Sequence, residues 1–339
     1  MNKNRILAEC LKGLICFEDR FDLVKEKHAS FICERLMWHK VLPLAAALNN
    51  PSKKKCPAIE SAFKKTSIQN AVREIYYEKQ VKQIFEALTE AAIEFFPFKG
   101  PFWSQQLYPD YLWKHIGDID LLLAKKDARR AVLIIQDMGY VPERPIDATF
   151  AEKGELALFP DSSNNKKVPV ELHWEILPSP RFLKMHYLHS KDFTENTTTA
   201  QWKSVSYPLP SKEIQLFYLI LHATCQHQFA RFVHIINITH FIQKFPNIRW
   251  NMLERLARKR SATTPLYCGL RFTHAFYPLK EPALSLMKSR TPSTKIRLAA
   301  SLLRPLSTLL ANNKRGRFQR KLFRTAMSWQ DIKVIDESA

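Results

Sequence analysis

Apolar residues recur at helical spacing over most of the chain. Leu7, Cys10, Leu11 and Leu14 share one face near the N-terminus. Phe31, Trp38, Val41 and Leu42 share another, which Pro43 kinks or ends. Asn49–Ala58 is a polar, proline-bearing connection. A long helix is expected from about 67 to 94, with Val72, Ile75, Tyr76, Ile84, Leu88 and Ala92 on its apolar side. The texture then changes. Phe95–Phe98 reads as a strand, Lys99-Gly100 as a turn, and 101–108 as a helix with Pro101 near its first position, where proline is tolerated. Asp118–Leu123 is a strand signal, and Lys125–Met138 an amphipathic helix closed by Gly139. Two short strands, 155–159 and 168–174, flank a polar stretch suited to a hairpin turn. Beyond 180 the pattern is again mostly helical. Ser211 is placed to cap a helix carrying Ile214, Phe217, Leu221 and Cys225. Further helices are expected over 230–244, 250–260, 263–276, 294–311 and 314–327.

These elements make the chain a helix-rich α+β protein. A helical N-terminal region (1–94) precedes a strand-bearing core (95–180). A helical C-terminal domain follows (181–327), then a tail (328–339) with no packing pattern, expected to be disordered. The 339 residues suffice for two domains and a sizeable core. Seven glycines are too few for a glycine-rich phosphate loop. None of the six cysteines forms a CxxC pair, and no His/Cys spacing suits zinc. With neither a secretory signal nor a run of eighteen apolar residues, the protein reads as cytoplasmic with free thiols and no transmembrane segment.

The net charge is +20, and the excess is concentrated. Residues 251–325 hold seventeen Lys/Arg against two Glu. Such a region favours an anionic partner, whether nucleotide, RNA or an anionic membrane face. A packed helical segment with a charged outer face has the same composition.

The sharpest chemical signal is Asp118 and Asp120. Residues two apart on a strand project from one face, so both carboxylates point together while Ile119 points into the core. At about 4 Å and an effective dielectric of about 20 they repel by about 4 kcal/mol. Protonation or a bound cation relieves this, and a hard divalent ion such as Mg²⁺ takes carboxylate oxygens readily. Leu121–Leu123 follow at once, as in a buried strand rather than a solvated edge. Glu171 and His173 share one face of the 168–174 strand. An antiparallel neighbour of the aspartate strand would set Glu171 beside the aspartates. Three carboxylates there can hold two metals, the arrangement that clamps attacking and leaving oxygens in phosphoryl transfer.

In order along the chain stand Lys99-Gly100, Leu107-Tyr108-Pro109, Gly117–Leu122, Gly139-Tyr140 and Glu171–Trp174. This series resembles the uncharacterised nucleotidyltransferase family of the DNA polymerase β-like superfamily. It continues more faintly through Leu221-His222, His227 and Arg231. The resemblance implies a small mixed sheet flanked by helices, with Asp118, Asp120 and Glu171 as catalytic residues and ligands of two Mg²⁺ ions. It also implies transfer of a nucleoside monophosphate from a nucleoside triphosphate to an acceptor. Lys99, Gly100, Lys114, His173 and Arg231 are the candidates for nucleotide contact. The chain departs from the pattern in three places. Pro101 stands where the wider superfamily has a serine, Lys114 near a customary arginine, and Asn237 near a customary aspartate.

The acceptor is open between a small molecule, a peptide and RNA. Two other readings stand beside the main one: a tRNA-modifying, toxin-like transferase, and a catalytically weak nucleotide-binding or scaffold protein. His222 and His227, five apart on an expected helix, are badly spaced for one metal and read as packing or hydrogen-bonding residues. Trp103, Tyr108 and Trp113 can stack on a base, but aromatics near a helix–loop junction are more often core.

Overall fold

The first apolar stripe becomes helix α1 (Lys3–Ile15), which buries Leu7, Cys10, Leu11 and Leu14. Asn2 caps it, its side-chain oxygen accepting from the Arg5 N–H. The computed structural model describes residues 1–110, 113–161, 167–177, 188, 190–194 and 197–289. The hairpin turn expected within 161–167, the helices expected over 294–311 and 314–327, the tail and the 290–325 part of the basic stretch lie largely or wholly outside them. Two compact units emerge. One gathers Met1–Phe63 with the chain from Lys212 onward, and the other holds the sheet between Lys64 and Ser211.

In the first unit α1 is followed by α2 (Glu26–Trp38) and α3 (Leu42–Ala47). Pro43 starts α3 rather than ending α2, because its missing N–H costs nothing in a first turn. Helix α4 (Pro57–Glu90), which belongs to the sheet unit from Lys64 on, begins ten residues earlier than the apolar pattern indicates, on another such proline. Its buried side is Tyr77, Val81, Ile84, Phe85 and Leu88, while Val72 and Ile75 are exposed.

In chain order the sheet unit contains β1 (Phe95–Pro97), α5 (Gly100–Ser104), β2 (Ile119–Leu123), α6 (Lys125–Asp137), β3 (Tyr140–Pro142), α7 (Ile146–Glu152), β4 (Glu155–Pro160) and β5 (Val170–His173). After α8 (Ser190–Thr194), β6 (Thr198–Trp202) and β7 (Val205–Leu209) form a separate antiparallel hairpin in what reads from sequence as helical territory. The main sheet is mixed, in the order β1-β2-β5-β4-β3. Among the described strands its one parallel pair is β2 with β5, where an antiparallel neighbour was expected. β4 takes the antiparallel place beside β5, as the hairpin pattern predicts.

Alternation gives the sheet two unlike faces. Ile119, Leu121, Val170, Leu172, Leu156 and Leu158 are fully or almost fully buried on one face. Against the sheet packs α6, with Ala128, Ala131, Val132 and Ile135 inward. The opposite face carries Asp120, Glu171, His173 and Glu155.

The remaining helices belong to the first unit: α9 (Lys212–Leu221), α10 (Val233–Lys244), α11 (Trp250–Lys259), α12 (Thr263–His274) and α13 (Ala283–Ser289). Gly269 lets α12 approach α9 closely, since a Cβ there would lie 2.5 Å from Ile220 Cγ2. No described helix is long and apolar enough to cross a membrane.

Candidate active site

The parallel register sets Asp120 directly beside Glu171, and Leu122 beside His173. The antiparallel register on the other side sets Ala157 beside Glu171 and Glu155 beside His173. Directly paired residues point to the same face. Three strands therefore deliver Asp120, Glu171, His173 and Glu155 to one patch, with small Ala157 leaving room over Glu171.

Asp120 is almost fully buried. Its Oδ1 accepts from Lys99 Nζ at 2.7 Å and lies 3.0 Å from His173 Nε2. The same Nε2 is 3.5 Å from Glu171 Oε2, and Nδ1 is 3.3 Å from Glu155 Oε2. The imidazole thus stands among three carboxylates. Phe98 closes one side, its ring edge-on to His173 at 4.9 Å between centroids. Such an apolar wall strengthens every charge interaction beside it.

Burial works to raise the Asp120 carboxyl, but the charges of Lys99 and His173 outweigh it and hold the group below its ordinary range. Burial and Lys99 push His173 down, and its bonds to Asp120 and Glu171 outweigh them, moving it up to about 8. The Glu155 carboxyl is raised, first by burial, although His173 opposes this.

Lys99 reaches Asp120 through an unusual backbone. Its φ of 62° and ψ of −157° border a region that is essentially glycine's own, and Gly100 follows at φ 48°. A non-glycine residue held there costs about 1–3 kcal/mol. The Lys99–Asp120 ion pair and the Lys99 ammonium over the Phe98 ring, 4.7 Å from its centroid, act against that cost. The helix after the turn, α5, runs only five residues, shorter than the 101–108 read from sequence.

Asp118 lies one residue before β2 and is half-buried. Its approach segment is pinned to α4: Asn70 Nδ2 donates to the Lys114 carbonyl at 3.2 Å, and Arg73 donates to the Ile116 carbonyl at 2.8 Å. Lys114 is half-buried in that segment. Arg231 belongs to the other compact unit, where its charge helps lower the pKa of His39.

Among the described residues, one group offers three ligand atoms within 4.8 Å of one another: Asp120, Glu171 and His173. A metal can be held there. Asp118 is not in that group, and His173, expected to orient a ligand or touch the nucleotide rather than to be a ligand itself, is. Glu155 was not singled out from the sequence at all. Its signal was its place two residues before Ala157 on the alternating strand, but only the β4–β5 register shows that it meets His173. Trp103 and Tyr108 are buried, as core residues are.

No curated protein and no solved structure matches the chain. A family model described as uncharacterised nucleotidyltransferase matches residues 26–278, three quarters of the chain and the whole of the site built from Lys99, Asp120, Glu155, Glu171 and His173. By that match the chain belongs to this nucleotidyltransferase family.

Proposed function

We propose that this protein moves a nucleoside monophosphate from a nucleoside triphosphate to an acceptor hydroxyl, releasing pyrophosphate. The observation that carries the reading is the convergence of Asp120, Glu171 and His173 on one sheet face, with ligand atoms within 4.8 Å of one another. The acceptor oxygen bonds to the α-phosphorus as the bond from that phosphorus to the bridging oxygen breaks. The electron pair leaves with pyrophosphate, and Glu171 takes the acceptor proton. Asp120 and Glu171, with Asp118 two residues along from Asp120, are the residues to hold divalent ions, with Mg²⁺ the expected species. Their carboxylate oxygens suit a hard cation, and no thiolate competes at the site. A bound ion there supplies Lewis-acid polarisation of the phosphoryl group and charge neutralisation.

The chain's own groups do the rest. Lys99 presents the ammonium that balances triphosphate charge, and the Gly100 backbone lets phosphate come close. The Glu155 carboxylate, 3.3 Å from His173 Nδ1, sets a negative charge behind the ring while Nε2 faces Asp120. Lys114 and Arg231 are the further candidates for nucleotide contact. The acceptor is a small molecule, a peptide or RNA. The basic 251–325 stretch favours an anionic one, a tRNA included. Six free cysteines suit a cytoplasmic protein.

The test is pyrophosphate release from each of the four common NTPs with Mg²⁺ present. Asp120→Ala and Glu171→Ala should both abolish it, and release at the level of the unsubstituted protein in both variants sinks the reading. The Lys99–Asp120 contact favours a second possibility, a nucleotide-binding protein that turns over weakly, because its key carboxylate is already neutralised from within. That reading expects Mg²⁺-NTP to raise the thermal midpoint without releasing pyrophosphate.

A further inference from the structure

The helical unit contains a cluster of imidazoles that the proposed transfer reaction does not use. His222 and His227 are five residues apart, a spacing that puts them on different faces of a regular α-helix. Here the helix is not regular. The His227 N–H donates to the His222 carbonyl five residues back, at 3.1 Å, and Phe229 N–H donates to the Ala223 carbonyl at 2.9 Å. The stretch His222–Gln226 is thus a widened, π-type turn, a feature frequent at functional sites. Widening brings residues five apart onto one side. His222 Nε2 and His227 Nε2 consequently lie 3.0 Å from each other.

His234, in the first turns of α10, brings a third ring. It stacks on His227 at 4.5 Å between centroids and lies 5.5 Å from His222. Tyr218 stacks on His222 from the other direction at 5.4 Å. His222 and His227 are half-buried, while His234 is buried.

We infer that His222 and His227 are a chelating pair for a late first-row divalent ion, of which zinc is the simplest. Imidazole is a favoured ligand of such ions. At about 2.0–2.1 Å from a tetrahedral zinc, two ligand nitrogens stand about 3.4 Å apart, so a small spreading of this pair accommodates the ion. Both imidazoles stay neutral: the one that donates between the Nε2 atoms shifts its proton to Nδ1, and both Nε2 lone pairs face the ion. Water fills the other positions, with His234 the residue nearest to a third. The inference shares no residue with the Asp120 group and stands or falls apart from it.

The experiment is a Co²⁺ titration of the full-length Glu171→Gln protein, in which the Asp120 group is disarmed, read by visible absorbance. We expect saturation at one equivalent. Adding His222→Gln or His227→Gln should weaken binding by about tenfold or more, and His234→Gln by less. Absence of saturable binding, or equal binding after either of the first two changes, overturns the assignment. Should a variant fold poorly, the unsubstituted protein still decides. Zn²⁺ must protect both His222 and His227 from diethyl pyrocarbonate, as mapped by peptide mass, and unchanged labelling of either overturns it.

Discussion

Lys99 places its ammonium 2.7 Å from Asp120 Oδ1, inside the group of side chains best arranged to hold a metal. The pair puts a positive charge where a divalent ion would also be drawn, so the two compete for one carboxylate. Lys99→Met should therefore lower the thermal midpoint without added metal, since removing one partner of a buried pair costs about 3 kcal/mol or more. Mg²⁺ should raise that midpoint further in the variant than in the unchanged protein. Pyrophosphate release should fall by about a hundredfold, as when one charge-stabilising donor is lost. Scanning calorimetry with and without Mg²⁺ checks the first two statements. A smaller Mg²⁺ response in the variant would contradict the competition.

Glu155 bears on the reaction only through His173. Glu155→Gln keeps the shape and removes the charge beside Nδ1. Turnover should drop by about tenfold or more while the Mg²⁺ dependence keeps its midpoint. Glu155→Asp should recover part of the rate. A shifted Mg²⁺ midpoint with unchanged turnover would place Glu155 among the ligands instead.

Acid stability should carry the signature of Glu213. Burial tends to raise its carboxyl, but Arg249 meets it with both a guanidinium and a backbone N–H and brings it down to about 2. The folded value lies below the unfolded one, so the pair's contribution is complete above the ordinary glutamate range. It is lost as pH falls from about 4.5 towards 2. In Glu213→Gln, urea midpoints measured over that window should depend less on pH than in the unchanged protein. An equally steep loss would show that other carboxylates govern acid unfolding.

Gly269 tests the crossing of α9 and α12. A Cβ there would sit 2.5 Å from Ile220 Cγ2, too close without displacement. Gly269→Ala should destabilise by about 1–3 kcal/mol despite alanine's better helix propensity. Adding Ile220→Leu should recover part of the loss, because leucine has no branch at Cβ and so lacks the Cγ2 methyl that the new Cβ meets. Additive destabilisation in the double variant would argue against the clash.

Much of this protein was legible one residue at a time. The apolar stripes of α1, α6 and α9 to α12 were readable because helical period and local propensity act over a few residues. The Asp118–Leu123 strand signal and the hairpin of β4 and β5 were readable for the same reason, alternation being local. The series from Lys99-Gly100 to Glu171–Trp174 was enough to indicate the family and its mixed sheet.

What the sequence left open depended on register and on irregular backbone. Alternation shows that Glu171 and His173 share a face, but not which strands lie beside them. The parallel β2–β5 pairing sets Asp120 next to Glu171, and β4 adds Glu155. The exposure of Val72 and Ile75 depended on what packs against α4, which no helical period contains. The histidines show the limit most plainly. A spacing of five argues against a pair only if the helix is regular, and a single widened turn reverses that conclusion. By itself the sequence determined which residue types and periods were present. Which carboxylates and imidazoles meet was decided by the tertiary structure, because strand order, register and turn geometry are set by packing between segments distant along the chain.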